Sequence, residues 1–175
     1  MDWKKSADRK PLLLQGARQV GKTTLIRSFA KEFDNYIELN LEREADRDLF
    51  QTDDIEKILG AAHLLKGVTS NKKETFLFID EIQELPKAIQ LLRYFYEKRP
   101  DVYVVAAGSL LEFALKEVSS FPVGRIEYLY LYPLNFKEYL GAIQHDGAID
   151  ALQTLPVPDF AHNVLLKLFH DYVLL

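Results

Sequence analysis

A short apolar run, Pro11-Leu-Leu-Leu-Gln15, stops at a glycine and gives way to Gly16-Ala-Arg-Gln-Val-Gly21-Lys22-Thr23, which fits the pattern G-x-x-x-x-G-K-[ST]. Behind it, Lys22–Phe33 carries Leu25, Ile26, Phe29 and Phe33 at helical spacing. A strand that feeds a glycine-bearing turn which in turn opens a helix leaves few folds available. The glycines let successive backbone N–H groups turn inward on an anion. The helix N-terminus adds its partial positive charge at the same point. Gly16, Ala17, Arg18, Gln19, Val20, Gly21, Lys22, Thr23 and Thr24 are therefore expected to hold the phosphates of a nucleoside triphosphate, with ATP the first candidate. Lys22 is expected to reach the β and γ phosphates, and the Thr23 hydroxyl to bind Mg²⁺.

The run Phe76-Leu-Phe-Ile-Asp80-Glu81 supplies the complement. An apolar strand delivers a carboxylate, Asp80, to the far side of the metal, and Glu81 follows as the candidate to accept a proton from an attacking water. Val102–Ala107 is a further apolar strand ending in Gly108-Ser109. Ser109 reads equally as a group near the γ-phosphate and as the N-cap of a helix over Ser109–Lys116. Arg125 opens the last strand, at the end opposite the phosphate loop. It is expected to act on a neighbouring subunit's nucleotide or to be structural, and not to touch the Lys22 site of its own chain.

The rest of the chain has the organisation these motifs need. Tyr36–Glu42 and Arg125–Tyr132 alternate as half-buried strands, and residues 43–66 and Pro86–Lys98 read as helical. Asp53 and Glu56 resemble a capping box, as do Asn135 and Glu138. Gly67–Glu74 and Ser119–Gly124 read as turn and loop, Gln144–Val157 as a loop, and Pro158–Leu175 as a final helix. Strands alternating with helices point to an α/β fold with a parallel sheet covered on both faces. The expected division is an ATPase core over 1–143 and a loop with C-terminal helix over 144–175, the start of a following segment. Phe160, Val164, Leu165, Leu168, Phe169, Tyr172 and Val173 give that helix a broad apolar face, which predicts packing on the core, packing on a neighbour, or an unordered tip.

Composition removes several alternatives. The chain has 175 residues and no cysteine, which excludes a disulfide framework and cysteine-based zinc sites. With 26 acidic against 22 basic side chains, it offers no basic stripe for strong duplex binding. No run approaches a membrane span, so a cytoplasmic protein without membrane contact is expected. Asn71-Lys72-Lys73-Glu74 precedes the Asp80 strand and reads as a solvated turn, not a base-reading loop.

Gly16–Thr24, Leu77-Phe-Ile-Asp-Glu-Ile-Gln83, Ala107-Gly-Ser-Leu110 and Gly124-Arg125 followed by Leu131-Tyr-Pro-Leu134 together resemble a family of bacterial and archaeal AAA-type P-loop ATPases. The resemblance implies a five-stranded parallel sheet of order 5-1-4-3-2. It also implies a catalytic Glu81 beside the Mg²⁺-site Asp80, and Ser109 at the sensor position. Family members typically continue into a winged-helix-like segment and a nuclease-like domain. The implied activity is Mg²⁺-dependent ATP hydrolysis, with Lys22, Glu81 and Ser109 as the catalytic set. A nucleotide-gated switch with negligible turnover and a nucleoside or nucleotide kinase are the competing readings. The absence of Arg from 110–124 weighs against the kinase. Self-association through Arg125, and a DNA or protein partner for regions beyond this chain, are left open.

Overall fold

A computed structural model describes residues 2–69, 74–109 and 124–174. It forms two compact units, Met1–Tyr132 and Pro133–Leu175. In the first, β1 (Leu12–Gln15), β2 (Asn35–Asn40), β3 (Thr75–Asp80), β4 (Val102–Gly108) and β5 (Glu127–Tyr130) make one sheet of order β2-β3-β4-β1-β5. Every pairing is parallel. Read from the other edge, this is the expected 5-1-4-3-2.

Position in the sheet explains the sequence of each strand. β3 has neighbours on both sides and helices over both faces, and all six of its residues are buried. β2 lies at an edge, so its residues alternate between buried and half-buried. Successive side chains point to opposite faces. Leu12 and Leu14 thus join Phe76, Phe78, Val105 and Ala107 under Ile26 and Ala30 of α1 (Lys22–Ala30). Leu13 joins Leu77, Ile79, Val104 and Ala106 in the core on the other face. That core also takes in Ile58 and Leu59 of α3 (Ile55–Lys66) and Ile89, Leu92 and Phe95 of α4 (Pro86–Lys98). Trp3, in a short 3₁₀ turn, closes the first core.

Several boundaries differ from expectation. α1 ends at Ala30, because the N–H groups of Glu32 and Phe33 turn to the carbonyls three residues back. The helical stretch 43–66 breaks into α2 (Glu44–Asp48), a 3₁₀ turn at Leu49–Gln51, and α3. Asp54, not Asp53, caps α3 by accepting the Glu56 N–H at 3.0 Å. The Thr52 hydroxyl receives the Asp54 N–H and sets that turn, and Asp53 pairs with Lys87 instead. The expected helix over Ser109–Lys116 from Leu110 on, the loop 119–123 and the turn at 71–73 lie outside the described residues.

The second unit is helical: α5 (Phe136–Ala142), α6 (Asp146–Gln153) and α7 (Asp159–Val173). The capping box of Asn135 and Glu138 starts α5 as expected. α6 occupies the stretch read as a loop, its first turn capped by His145 Nδ1, which accepts the Ala148 N–H. Leu140, Ala148, Ala161 and Leu165 form its core, so α5 packs with the helices that follow it. On α7, Leu165 is buried and Phe169 and Tyr172 join an aromatic cluster with Phe136 and Tyr139. Phe160, 85% exposed, and Val173 lie on its solvent side, so the apolar face is only partly covered. Among the described residues no helix is long and apolar enough to cross a membrane.

Candidate functional site

The C-terminal ends of β1, β3 and β4 bring the expected residues to one edge of the sheet. Gly16 follows β1 directly, and the chain beyond β5 runs beside it, with the Leu131 N–H donating to the Gln15 carbonyl at 2.7 Å. A Cβ on Gly16 would sit 2.4 Å from the Leu131 carbonyl oxygen, so only glycine fits there. Ala17, Arg18 and Gln19 are exposed along the loop, and Val20 is half-buried. Gln19 and Gly21 both take the left-handed conformation, with φ of 64° and 92°. Gly21 sits at the N-cap of α1 with no side chain to cap the helix's first N–H groups, donors of the kind an anion can meet.

Lys22 is buried, and its ammonium donates to the carbonyls of Gly16 at 2.9 Å and Ala17 at 2.7 Å. The side chain therefore folds back over the loop whose backbone it shares. Thr24 and Arg18 face solvent, so the loop's own contacts leave their side chains unused. One residue past the lysine, the Thr23 hydroxyl donates to Asp80 Oδ2 at 2.9 Å.

Asp80 is the last residue of β3 and only 5% exposed. Burial holds its carboxyl above the usual carboxylate range, against the Thr23 hydroxyl and the Glu81 N–H, which favour the charged form. The negative charges of Glu81 and Glu38 push in the same direction as burial. The Glu81 N–H donates to Asp80 Oδ1 at 3.1 Å, and Glu81 itself takes a left-handed φ of 51°. A non-glycine residue held there is a strained position of the kind that clusters at reactive sites. Gln83 Nε2 donates to Glu81 Oε2 at 2.6 Å. Ser109, 8% exposed, follows β4, the strand between those of Asp80 and the loop.

Arg125 lies apart from this group. Glu127 pairs with Leu12 at the start of β1, whereas the loop begins after Gln15, which pairs with Tyr130. The Arg125 guanidinium instead meets Glu97 near the end of α4.

Two features carry no role in the sequence reading. Arg27, one helical turn after Thr23, binds Glu38 of β2 through both Nε at 2.9 Å and Nη2 at 2.6 Å, and the Tyr36 hydroxyl donates to the same carboxylate. The alternation of β2 is the signal that puts Glu38 and Asn40 on one polar face beside Asp80, since Asn40 pairs with Asp80 in register. Gln83 is the other, two residues beyond Glu81 in the same turn. Among the described residues no three His, Cys, Asp or Glu side chains gather as a metal cluster. The oxygen set here is the Thr23 hydroxyl and Asp80 carboxylate, hard donors of the type Mg²⁺ takes alongside phosphate oxygens.

A family model described as an AAA domain matches residues 8–140. No curated protein gives a significant match. Among solved structures, the Walker-type ATPase PABY2304 of Pyrococcus abyssi is similar in fold, with a TM-score of 0.51 at 20% identity. That match covers 88% of this chain and 61% of the archaeal one, so this chain spans about three fifths of its length.

Proposed function

The chain belongs to the AAA domain family, and from that premise we propose that it binds ATP with Mg²⁺ at Gly16–Thr24 and hydrolyses it to ADP and phosphate. The observation that carries the proposal is the hydrogen bond from Thr23 to Asp80, which joins the phosphate loop to the carboxylate strand beside Lys22. Thr23 and Asp80 would hold Mg²⁺, Asp80 through water. The ion, when bound, supplies positive charge against the β and γ phosphate oxygens.

The remaining steps fall to the chain. The loop N–H groups and the α1 N-terminus hold the phosphates. Lys22 exchanges the Gly16 and Ala17 carbonyls for phosphate oxygens, so its charge meets the group being transferred. Glu81 accepts a proton from water as the water oxygen bonds to the γ-phosphorus. The bond to the β–γ bridging oxygen breaks, and ADP leaves with that oxygen. Ser109, at the end of the intervening strand, orients the water or the γ-phosphate.

Single-turnover hydrolysis with Mg²⁺ and ATP tests this. Lys22→Ala should weaken ATP binding about 100-fold, the loss of a charge-assisted contact worth about 3 kcal/mol. Glu81→Gln should bind ATP normally and hydrolyse it roughly 100-fold more slowly. Tight binding by the wild type without turnover would favour a nucleotide-gated switch instead.

A further inference from the structure

The 3₁₀ turn Ile82–Glu84 follows Glu81 and is pinned to the core by Ile82, which is fully buried. The Glu84 N–H donates back to the Glu81 carbonyl at 3.0 Å, closing the turn on the left-handed residue. Inside this turn Gln83 Nε2 reaches Glu81 Oε2 at 2.6 Å. The amide's other atom, Oε1, is buried and accepts no hydrogen bond from any described residue.

An amide can be turned over, and the reverse orientation would set Gln83 Oε1 against an ionised carboxylate, oxygen to oxygen. Electrostatics therefore keeps the donor toward Glu81. That choice leaves the buried Oε1 without a partner among the described residues. What the amide gains is geometric. The Glu81 backbone is fixed by its N–H on Asp80 Oδ1, and its carboxylate is fixed at one oxygen by Gln83.

We propose that Gln83 is a positioning residue for hydrolysis: it holds Glu81 Oε2 so that Oε1 is the oxygen left to accept the water's proton. The inference rests on the reading of Glu81 as the base. A carboxylate on a flexible side chain reacts from many orientations, most of them unproductive, and fixing one oxygen removes most of them. Gln83 donates a hydrogen bond throughout and exchanges no proton. Its contribution belongs to kcat, because ATP is held elsewhere, by the loop and Lys22.

The test is a double-mutant cycle on the full chain under single-turnover conditions with saturating Mg²⁺ and ATP. ATP affinity is measured alongside. Gln83→Ala should slow hydrolysis about tenfold or more with ATP affinity unchanged. Gln83→Met, which keeps most of the volume but cannot donate, should do the same and covers the case in which Gln83→Ala fails to fold. In the Glu81→Gln background either change should have no further effect, because the group being positioned is already gone. Hydrolysis by Gln83→Met at or above the wild-type rate would overturn the proposal. So would a loss that multiplies with that of Glu81→Gln, since a merely structural role acts on both backgrounds alike. Wild-type turnover by Glu81→Gln alone would remove the base assignment itself, and that arm distinguishes the failure of the function from the failure of the positioning role.

Discussion

The Thr23 hydroxyl donates to Asp80 Oδ2 at 2.9 Å, joining two residues 57 positions apart in sequence. The bond brings the first turn of the helix after the phosphate loop to the end of β3. It partly offsets the burial that holds the Asp80 carboxyl above its usual range. A carboxyl whose pKa is raised by folding keeps its proton in the folded state at pH values where the unfolded chain has already lost it. Folding is therefore disfavoured by this group above that range and favoured as pH falls through it. The nucleotide-free protein should have an Asp80→Asn variant at least as stable as wild type at pH 7, with that advantage shrinking as pH falls. The same variant should lose the Mg²⁺-dependent part of its stabilisation by ATP. Thermal melts at several pH values, with and without Mg²⁺ and ATP, check both.

Gly16 gives a test of the loop's architecture separate from its chemistry. The Leu131 carbonyl oxygen lies where a Cβ would be, at 2.4 Å, and it is backbone tied by its own N–H to Gln15. Gly16→Ala should therefore push the end of β5 from the loop and cost about 2 kcal/mol or more. At Gly67 no atom of the described residues beyond its chain neighbours lies within 4 Å of a new Cβ, and the left-handed φ of 64° is what opposes it, so Gly67→Ala should cost about 1 kcal/mol. Equal melting temperatures for the two variants would mean that β5 yields.

What was legible in the sequence was what local pattern encodes. The turn between β1 and α1 reads directly because an apolar run stops at a glycine before a helical repeat, and Asp80 reads because an acid breaks the apolar run of β3 and closes that strand. The sheet order follows from the family resemblance. Arg27–Glu38 was not legible, because nothing in the alternation of β2 states which helix its polar face meets. Leu131 was hidden for a similar reason: its backbone carbonyl, not its side chain, constrains Gly16. The helix Asp146–Gln153 was missed because Gln144–Val157 carries Gly147 and Pro156, breakers that outweighed a cap from His145, a residue seldom read as one.

Arg27 and Glu38 make the pH dependence of stability specific. The Arg27 guanidinium first, with the Tyr36 hydroxyl assisting, holds the Glu38 carboxyl below its ordinary value. A carboxyl depressed by folding contributes stability above its unfolded pKa and loses it as pH falls through the folded pKa. Arg27→Ala should therefore be less stable than wild type at neutral pH, by about 0.5–1 kcal/mol for a pair with one exposed partner. The gap should close in acid, below the range where Glu38 titrates. Chemical denaturation across that range measures it, and an unchanged gap at acid pH would trace the loss to packing of the Arg27 stem.

Arg125 separates a structural role from one between subunits. It precedes Glu127, which pairs with Leu12, while Leu131 stands beside Gly16. Six residues at about 3.3 Å each put Arg125 roughly 20 Å along the strand direction from the loop, beyond the reach of its own side chain. Within the chain it meets Glu97, an ion pair exposed on both sides, whose loss should cost less than about 1 kcal/mol. The two roles then predict different things. If a neighbouring subunit's nucleotide receives this guanidinium, hydrolysis per chain rises with protein concentration, and Arg125→Ala flattens that rise while leaving ATP affinity unchanged. Glu97→Ala, which frees the guanidinium, should keep the concentration dependence. If the ion pair with Glu97 is its whole purpose, Arg125→Ala and Glu97→Ala behave alike, each with wild-type turnover at every concentration. We expect the first pattern, since Gly124, with φ of 73°, turns the chain immediately before this arginine at an exposed edge. Turnover measured against protein concentration for the three proteins decides between them.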